Sequence, residues 1–279
     1  MHCKKKMLKF LADAFGYCAR CASSLDDGTL KKLTIGPFIA QTLIVQAANG
    51  KMLGGRSNQE VSKMFSTLVT PSGWAFAIWG AIYSWEMISC IQIYSSARLD
   101  DDAKAGLPWF ALANVFQLCW ALVFSREYMG ASALLLGGIT SSLLVALESF
   151  RNLKGADYYT IFLPISLHAG WVTVATLLNV NLLAVKAGAS TAVQLTAAFG
   201  TLYAGLGAAF LFAAFRQNAL YALSIAWACF GIFCELPASK ACPDLDAAAR
   251  LALKYTAGGC AGVAGQLALA TLLFQLLAD

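Results

Sequence analysis

Residues 70–86 of the chain read TPSGWAFAIWGAIYSWE, a polar turn followed by an apolar segment that carries three tryptophans and one acid. A threonine N-cap and a proline in the first turn favour a helix start, so Thr70 and Pro71 predict a helix that begins here. At 100° per residue, its large side chains fall on two separate faces. One face carries Trp74, Ile78 and Trp85, and the other carries Trp79, Tyr83 and Glu86. Lipid could cover one face, so we expect the other to line the interior of a membrane-embedded bundle.

The composition of the whole chain is that of a membrane protein. Of its 279 residues, 59% are hydrophobic and 13% are charged, and the mean hydropathy is +0.64. Soluble domains carry about 25% charged residues. A spanning helix needs about 20 apolar residues, so the length allows roughly seven or eight spans. We therefore predict an all-α integral membrane protein of about eight transmembrane helices, at residues 33–48, 74–94, 108–124, 131–150, 159–185, 194–215, 219–236 and 255–277.

The chain divides into three parts. Residues 1–32 form a basic N-terminal arm, which suits an interfacial helix or a targeting sequence. Residues 33–185 contain the first five predicted spans, and residues 186–279 contain three additional ones. The net charge of +5 comes mainly from the arm, so the positive-inside tendency places the N-terminus on the cytosolic or equivalent side. Because no recognition motif follows the arm, nucleic-acid binding is not expected.

Familiar catalytic machinery is missing from the sequence. There is no nucleophile elbow, no zinc-protease helix motif, no Gly-rich phosphate loop and no carboxylate pair at helical spacing. The two histidines, His2 and His168, are too few for a histidine-based metal site. The lone CxxC at residues 18–21 has no second pair, so chance spacing explains it better than metal or redox chemistry. We therefore expect no catalytic residue, no metal and no obligatory cofactor.

Polar and aromatic side chains inside the spans are the remaining candidates. Glu86 lies near the middle of its span, where an ionisable group is costly unless it has a role or a partner. Two further stripes are Pro164, His168, Trp171, Ala175 and Asn179 in the fifth span, and Gln117, Trp120 and Phe124 in the third. Each could be a helix–helix contact, but three stripes with tryptophan favour a shared aromatic cavity. The predicted ligand-binding residues are Trp74, Trp79, Tyr83, Glu86, Gln117, Trp120, His168, Trp171 and Asn179.

Two motifs resemble the TspO family of tryptophan-rich sensory proteins, which includes the mitochondrial translocator protein. Residues 70–83 are similar to that family's Pro-Pro-Gly-Trp-x-Phe-x-x-x-Trp-x-x-x-Tyr signature, with one residue fewer between the two tryptophans. The pair Trp171 and Asn179 is similar to a tryptophan and an asparagine of its fifth helix. Trp120 resembles its third-helix tryptophan, whereas Gln117 stands where the family usually has asparagine.

The resemblance implies a five-helix bundle over residues 33–185, with a ligand pocket between its helices. Members bind tetrapyrroles such as protoporphyrin IX and haem, and animal members also bind sterols and drug-like molecules. The three helices of residues 186–279 have no counterpart in the five-helix members, although longer relatives look like this chain. The predicted function is therefore binding, sensing or translocation of an amphipathic ligand, either a tetrapyrrole or a sterol-like molecule. Porphyrin or haem would be a ligand and not an obligatory cofactor.

Other functions fit the same sequence. Glu86 and His168 could form the proton relay of a small-solute transporter, and the Gly/Ala-rich second half could belong to a structural or assembly subunit of a larger membrane complex. Light-dependent porphyrin breakdown would make the chain an enzyme, and the sequence does not separate this from binding. The expected partners are the lipid bilayer and a small amphipathic ligand, with a homodimer or a membrane-complex partner left open. The membrane, whether mitochondrial, plastid or plasma, is not resolved.

Overall fold

The computed structural model describes residues 25–239 and 241–278, which form helices and connecting turns with no strand among them. The helices are α1 (Asp27–Asn49), α2 (Asn58–Met64), α3 (Ile78–Ser95), α4 (Asp101–Phe124), α5 (Met129–Phe150), α6 (Leu163–Lys186), α7 (Thr191–Arg216), α8 (Ala219–Glu235) and α9 (Ala247–Ala278). A 3₁₀ turn, Gly73–Ala77, leads into α3. A helical turn, Gly155–Asp157, and a π-helical turn, Tyr158–Phe162, lead into α6. The all-helical prediction is confirmed for the described residues.

Polar side chains fix where several helices start. The side chains of Asp26, Asp100, Ser190 and Asn218 accept hydrogen bonds from backbone N–H groups in the first turns of α1, α4, α7 and α8. Each of these bonds satisfies a donor that the helix itself leaves unpaired. Ser57 and Glu60 form a reciprocal capping box at the start of α2. These starts follow from the local sequence alone.

The start of α3 differs from the prediction. Thr70 does not cap a helix, because its Oγ1 accepts a hydrogen bond from the backbone N–H of Thr67 at 3.0 Å and so closes a tight turn. The chain then passes through the 3₁₀ turn, and α3 begins only at Ile78. A 3₁₀ turn rotates about 120° per residue rather than 100°. The helical faces predicted for residues 74–86 therefore do not extend back to Trp74.

Five helices close into a ring, which we call the five-helix ring. α1 packs against α3 and α4, α4 against α5, α5 against α6, and α6 against α3. The order around it is therefore α1, α3, α6, α5 and α4. Neighbours in the chain are not always neighbours in this ring, so residues far apart in sequence meet in its interior.

The long helices run alternately up and down. One end of the molecule, which we call the terminal end, holds the start of α1 and the finish of α9. A salt bridge of 2.7 Å joins Lys104 to Asp27 there. The pKa of Asp27 is lowered mainly by the hydrogen bond from Lys104 and next by the one from the backbone N–H of Leu99. At the opposite end, Arg56 pairs with Glu127 at 2.7 Å.

The last three helices attach to the outside of the five-helix ring through α6. α8 packs against α6, and α7 contacts α6, α8 and α9. The backbones of α6 and α8 approach closely at Gly170 of α6. A Cβ atom at this position would lie 2.6 Å from the carbonyl oxygen of Tyr221 and 2.9 Å from Cβ of Ser224, both on α8. Small residues allow this close approach between membrane helices. α6 is therefore buried from two sides.

Five described helices are long and apolar enough to cross a bilayer: Asp101–Phe124, Met129–Phe150, Gly155–Lys186, Thr191–Arg216 and Ala247–Leu277. The other three predicted spans are also helical but do not reach that standard. α8 is apolar but has only 17 residues, α3 carries Glu86 and Gln92, and α1 carries Lys31 and Lys32 near its start. The protein is therefore a multi-pass membrane protein, and the count of eight transmembrane helices is not confirmed.

The predicted division of the chain into three parts stays a prediction. Most of the basic arm, residues 1–24, lies outside the described residues. In the structure α1 begins at Asp27, so residues 27–32 are part of this helix. The division between residues 33–185 and 186–279 stays a prediction.

Candidate functional site

A chain of hydrogen bonds crosses the interior of the five-helix ring. His168 on α6 lies at its centre, with Nδ1 2.7 Å from Oε1 of Glu86 on α3 and Nε2 2.9 Å from Oε1 of Gln117 on α4. Nε2 of Gln117 donates in turn to the hydroxyl of Tyr83 at 2.7 Å. We call these four residues the polar chain. Glu86 and Gln117 are fully buried, and His168 is 1% exposed.

The ring order explains why these residues meet. Tyr83 and Glu86 are separated by one helical turn, so they lie on the same side of α3. α4 is a neighbour of neither α3 nor α6 in the five-helix ring, so Gln117 reaches both partners only across the interior. Three helices are thus joined through a single histidine, in a region where buried polar groups must find partners within the protein.

The hydrogen bonds restrict where protons can lie. The Gln117 amide donates to Tyr83 through Nε2, which leaves its oxygen to accept a proton from Nε2 of His168. One proton then remains between Nδ1 of His168 and Glu86. It resides either on the carboxyl group, beside a neutral imidazole, or on the imidazole, beside a carboxylate. The pair is neutral overall in both states, which reduces the cost of burying a carboxyl group here.

Aromatic rings cover the polar chain. Trp79 stacks on Tyr83 with ring centroids 5.3 Å apart, and it lies edge-on to His168 at 5.6 Å. Trp171 stands perpendicular to Trp79 at 6.3 Å, and Phe76 stands perpendicular to Trp171 at 5.7 Å. Trp79 is half-buried, whereas His168 beneath it is buried. The tryptophan therefore shields the polar chain.

Two polar atoms in this region have no hydrogen-bond partner among the described residues. They are Oε2 of Glu86 and Nε1 of Trp171, and both are buried. An unsatisfied buried donor or acceptor costs about 1–3 kcal/mol. Oε2 of Glu86 is an acceptor or an acidic O–H, and Nε1 of Trp171 is a donor, so the two atoms have complementary hydrogen-bonding functions left unused.

A second cluster lies further along α6, towards the opposite end. Nε1 of Trp120 donates to Oγ of Ser132 at 2.9 Å, and that hydroxyl donates to Oδ1 of Asn179 at 2.8 Å. Trp120 also stacks on Phe124 at 5.0 Å. Here the bonds join α4 to α5 and α5 to α6, which are neighbours in the five-helix ring. This cluster is a satisfied contact between helices.

The structure thus separates the nine predicted site residues into three groups. The first contains Trp79, Tyr83, Glu86, Gln117, His168 and Trp171, and the second contains Trp120 and Asn179. Trp74 stands apart: it is 43% exposed and contacts Trp227 and Phe230 of α8, with ring centroids at 4.9 and 5.7 Å. It lies on the 3₁₀ turn, so the helical periodicity used for residues 78–86 does not apply to it.

Sequence reasoning missed Ser132 and Phe76. Ser132 is a small hydroxyl residue in an apolar helix, and nothing in its spacing distinguishes it from the other serines of α5. Phe76 lies inside the tryptophan motif, but the 3₁₀ turn is needed to direct it to Trp171. The indole of Trp85 donates to the backbone oxygen of Tyr159 at 3.0 Å, so it anchors α3 to the π-helical turn.

These features define a class: a multi-pass helical membrane protein with a polar and aromatic site inside a ring of five helices. The family model described as TSPO-like protein matches residues 31–270. The match covers most of the chain, so the protein belongs to the TSPO-like family, and the resemblance seen in the sequence is confirmed. It continues through α7 and α8 into α9, beyond the residues that carried the resemblance. Comparisons with curated proteins and with solved structures give no match.

Membership of this family indicates ligand binding or sensing in a membrane in general terms.

Proposed function

We propose that the protein binds an amphipathic tetrapyrrole between α3 and α6, against Trp79, Trp171 and the polar chain. The observation that carries the proposal is that unsatisfied buried polar atoms, on Glu86 and Trp171, lie among closely packed aromatic rings. Apolar and aromatic walls with a few placed polar groups are the usual composition of small-molecule sites.

The chemistry of a porphyrin suits this set of groups. Its flat aromatic surface can stack on Trp79 or Trp171. A propionate at its edge can accept the indole N–H of Trp171, and a pyrrole nitrogen or N–H can meet Glu86, which either donates or accepts depending on where the shared proton lies. A sterol-like ligand would use the same apolar walls but needs only one polar partner, so it fits the two unsatisfied atoms less completely.

Binding requires an opening, because the aromatic rings of the site now contact one another. Trp79 is the half-buried cover of the polar chain, so a change of its rotamer would expose His168. The contact between α3 and α6 runs through this region and through Trp85, which is bonded to the π-helical turn. A small outward movement of α3 would therefore admit a flat ligand.

Titration of the purified protein with protoporphyrin IX tests the proposal through the intrinsic tryptophan fluorescence. Trp171→Phe keeps an aromatic ring but removes the N–H donor, so we expect the dissociation constant to rise roughly tenfold, the effect of losing one hydrogen bond of about 1.4 kcal/mol. Trp120→Phe makes the same chemical change in the second cluster, where the indole N–H already donates to Ser132, and should bind like the parent. A flat titration of the parent protein, or equal affinities of Trp171→Phe and the parent, would refute the porphyrin site.

A second function is favoured by the proton shared between Glu86 and His168. We propose proton-coupled transport of a small solute as the alternative, with this pair as the proton carrier. In proteoliposomes it requires solute flux that responds to an imposed pH gradient. Glu86→Gln can keep a hydrogen bond to His168 but cannot transfer the proton, so it should abolish the coupling. Flux that is insensitive to Glu86→Gln would eliminate this alternative.

A further inference from the structure

A cavity of about 900 Å³ opens at the terminal end of the molecule, away from the polar chain. It lies between the start of α4, the final turns of α5 and the final turns of α7, and Phe162 of the π-helical turn also lines it. Since α7 packs outside the five-helix ring, the cavity lies in the seam between that ring and the added helices. Its volume is within the range of about 300–1,000 Å³ that is usual for ligand sites.

Three charged side chains line the cavity. Oε1 of Glu148 accepts a hydrogen bond from Nη1 of Arg151 at 2.9 Å, and Oε2 of Glu148 lies 3.2 Å from Nη2 of Arg216. The two arginine side chains are 59% and 53% exposed. A guanidinium group has five N–H donors, and Glu148 engages only one nitrogen of each. One carboxylate thus holds two arginines together and leaves one positive charge in excess.

The deeper lining is apolar. Leu144 and Phe212 lie one helical turn before Glu148 and Arg216, further from the terminal end, and Phe215 beside Arg216 is 68% exposed. From Leu144 to Glu148, α5 rises about 6 Å. The cavity therefore changes from cationic to apolar over the same distance as the change from headgroups to hydrocarbon at the surface of a bilayer.

We propose that this cavity binds the headgroup and first acyl carbons of an anionic phospholipid from the leaflet at the terminal end. Arginine guanidinium groups match phosphate oxygens in geometry and charge, and the excess positive charge favours an anionic headgroup over a zwitterionic one. The acyl chains continue along the apolar faces of α5 and α7 into the bilayer. A small soluble anion would leave the phenylalanine and leucine lining without a partner, so a lipid is the better match.

Native mass spectrometry of the full chain in detergent tests this site, with phosphatidylglycerol and phosphatidylcholine as probes. The parent should retain phosphatidylglycerol roughly tenfold better than phosphatidylcholine, and Arg151→Gln combined with Arg216→Gln should reduce that preference to about onefold. Arg56→Gln is the matched control, because Arg56 pairs with Glu127 at the opposite end. A double variant that keeps the parent's preference, or a parent that has none, overturns the proposal.

Two further experiments distinguish a lipid in this cavity from a soluble anion and from a lipid bound at another surface. The first uses glycerol 3-phosphate, which carries the headgroup chemistry without acyl chains and should not displace phosphatidylglycerol at equal concentration. Displacement would mean that the site binds soluble anions, and it would overturn the lipid assignment. Phosphatidylglycerol brominated near the start of its acyl chains should quench tryptophan fluorescence, and Trp109→Phe should remove part of that quenching because Trp109 lines the cavity. Unchanged quenching in Trp109→Phe would place the lipid elsewhere and also overturn the proposal.

Discussion

Replacing His168 by phenylalanine would keep a planar side chain in the interior but remove both nitrogen atoms of the polar chain. Oε1 of Glu86 would lose its partner at 2.7 Å, and Oε1 of Gln117 would lose its partner at 2.9 Å. Neither oxygen has another hydrogen bond among the described residues, and water has little access because both side chains are fully buried. His168→Phe therefore leaves two buried oxygen atoms without a hydrogen-bond partner and creates no large cavity.

The magnitude lies between two known limits. Removing one partner of a buried ionic pair costs about 3–5 kcal/mol in soluble proteins. Interhelical hydrogen bonds in membrane proteins contribute about 0.6 kcal/mol on average and up to about 1.7. The Glu86–His168 bond is short, fully buried and shares a proton, which places its contribution above that of an ordinary interhelical hydrogen bond and towards that of a buried pair. We expect His168→Phe and Glu86→Met each to lower the free energy of unfolding by about 2–4 kcal/mol.

The double variant distinguishes a specific bond from general damage. Glu86→Met with His168→Phe removes both partners, and replacing both by apolar groups of similar shape costs little beyond the first loss. The double-mutant cycle should therefore give a coupling energy of about 1.5–3 kcal/mol. Reversible unfolding in mixed micelles with a rising fraction of sodium dodecyl sulfate, followed by circular dichroism, measures all four proteins. Glu86→Gln, which can still donate to Nδ1 of His168, is the control and should lose less than about 1 kcal/mol.

Additive losses would refute this reasoning. If the two single variants sum to the double variant within about 0.5 kcal/mol, Glu86 and His168 do not stabilise each other and the polar chain is not a cooperative unit.

Three other predictions concern parts of the molecule outside the polar chain. Trp120→Phe removes the donor to Ser132 and should lower the free energy of unfolding by about 1–2 kcal/mol without changing protoporphyrin quenching by more than its own lost signal. The pKa of Glu60 is lowered from 4.5 to about 2, mainly by the hydrogen bond from Lys51 and then by the bonds of the capping box. The stability that this carboxylate gives to α2 is therefore complete above pH 4.5 and is lost as the pH falls towards 2. Hydrogen exchange of α2 should show that loss, and Glu60→Gln should remove the pH dependence of the exchange. Gly170→Ala places a methyl group 2.6 Å from a backbone oxygen of α8 and should destabilise the protein by about 1–3 kcal/mol in thermal unfolding, whereas Gly200→Ala, with open space around it, should not.

Local signals were sufficient to predict the long helices. Apolar length located all eight predicted spans as helices, for example residues 131–150 against α5 and 219–236 against α8. Periodicity also placed Trp79, Tyr83 and Glu86 on one side of α3, because the backbone from residue 78 onward is a regular α-helix. These predictions succeed where the structure depends on neighbouring residues in the chain.

Pairing across the interior could not be predicted in the same way. Glu86 and His168 are 82 positions apart, and their contact depends on the closing order of the five-helix ring, which the hydropathy of single segments does not determine. The position of Trp74 could not be predicted from the sequence either. It belongs to the tryptophan motif, but the 3₁₀ turn and the presence of α8 direct it outward, and neither feature is visible in the spacing of residues 70–86.

The added helices contact both walls of the candidate site. α8 packs on α6 at Gly170, and it also fixes the chain just before α3: the backbone N–H of Ser72 donates to the oxygen of Gly231 at 3.1 Å, and the indole of Trp227 donates to the oxygen of Ala75 at 2.9 Å. α3 and α6 carry the aromatic cover and the histidine, so any opening between them must strain or break one of these attachments. α8 therefore restrains movement of α3 away from α6, which is the movement that the proposed ligand entry requires.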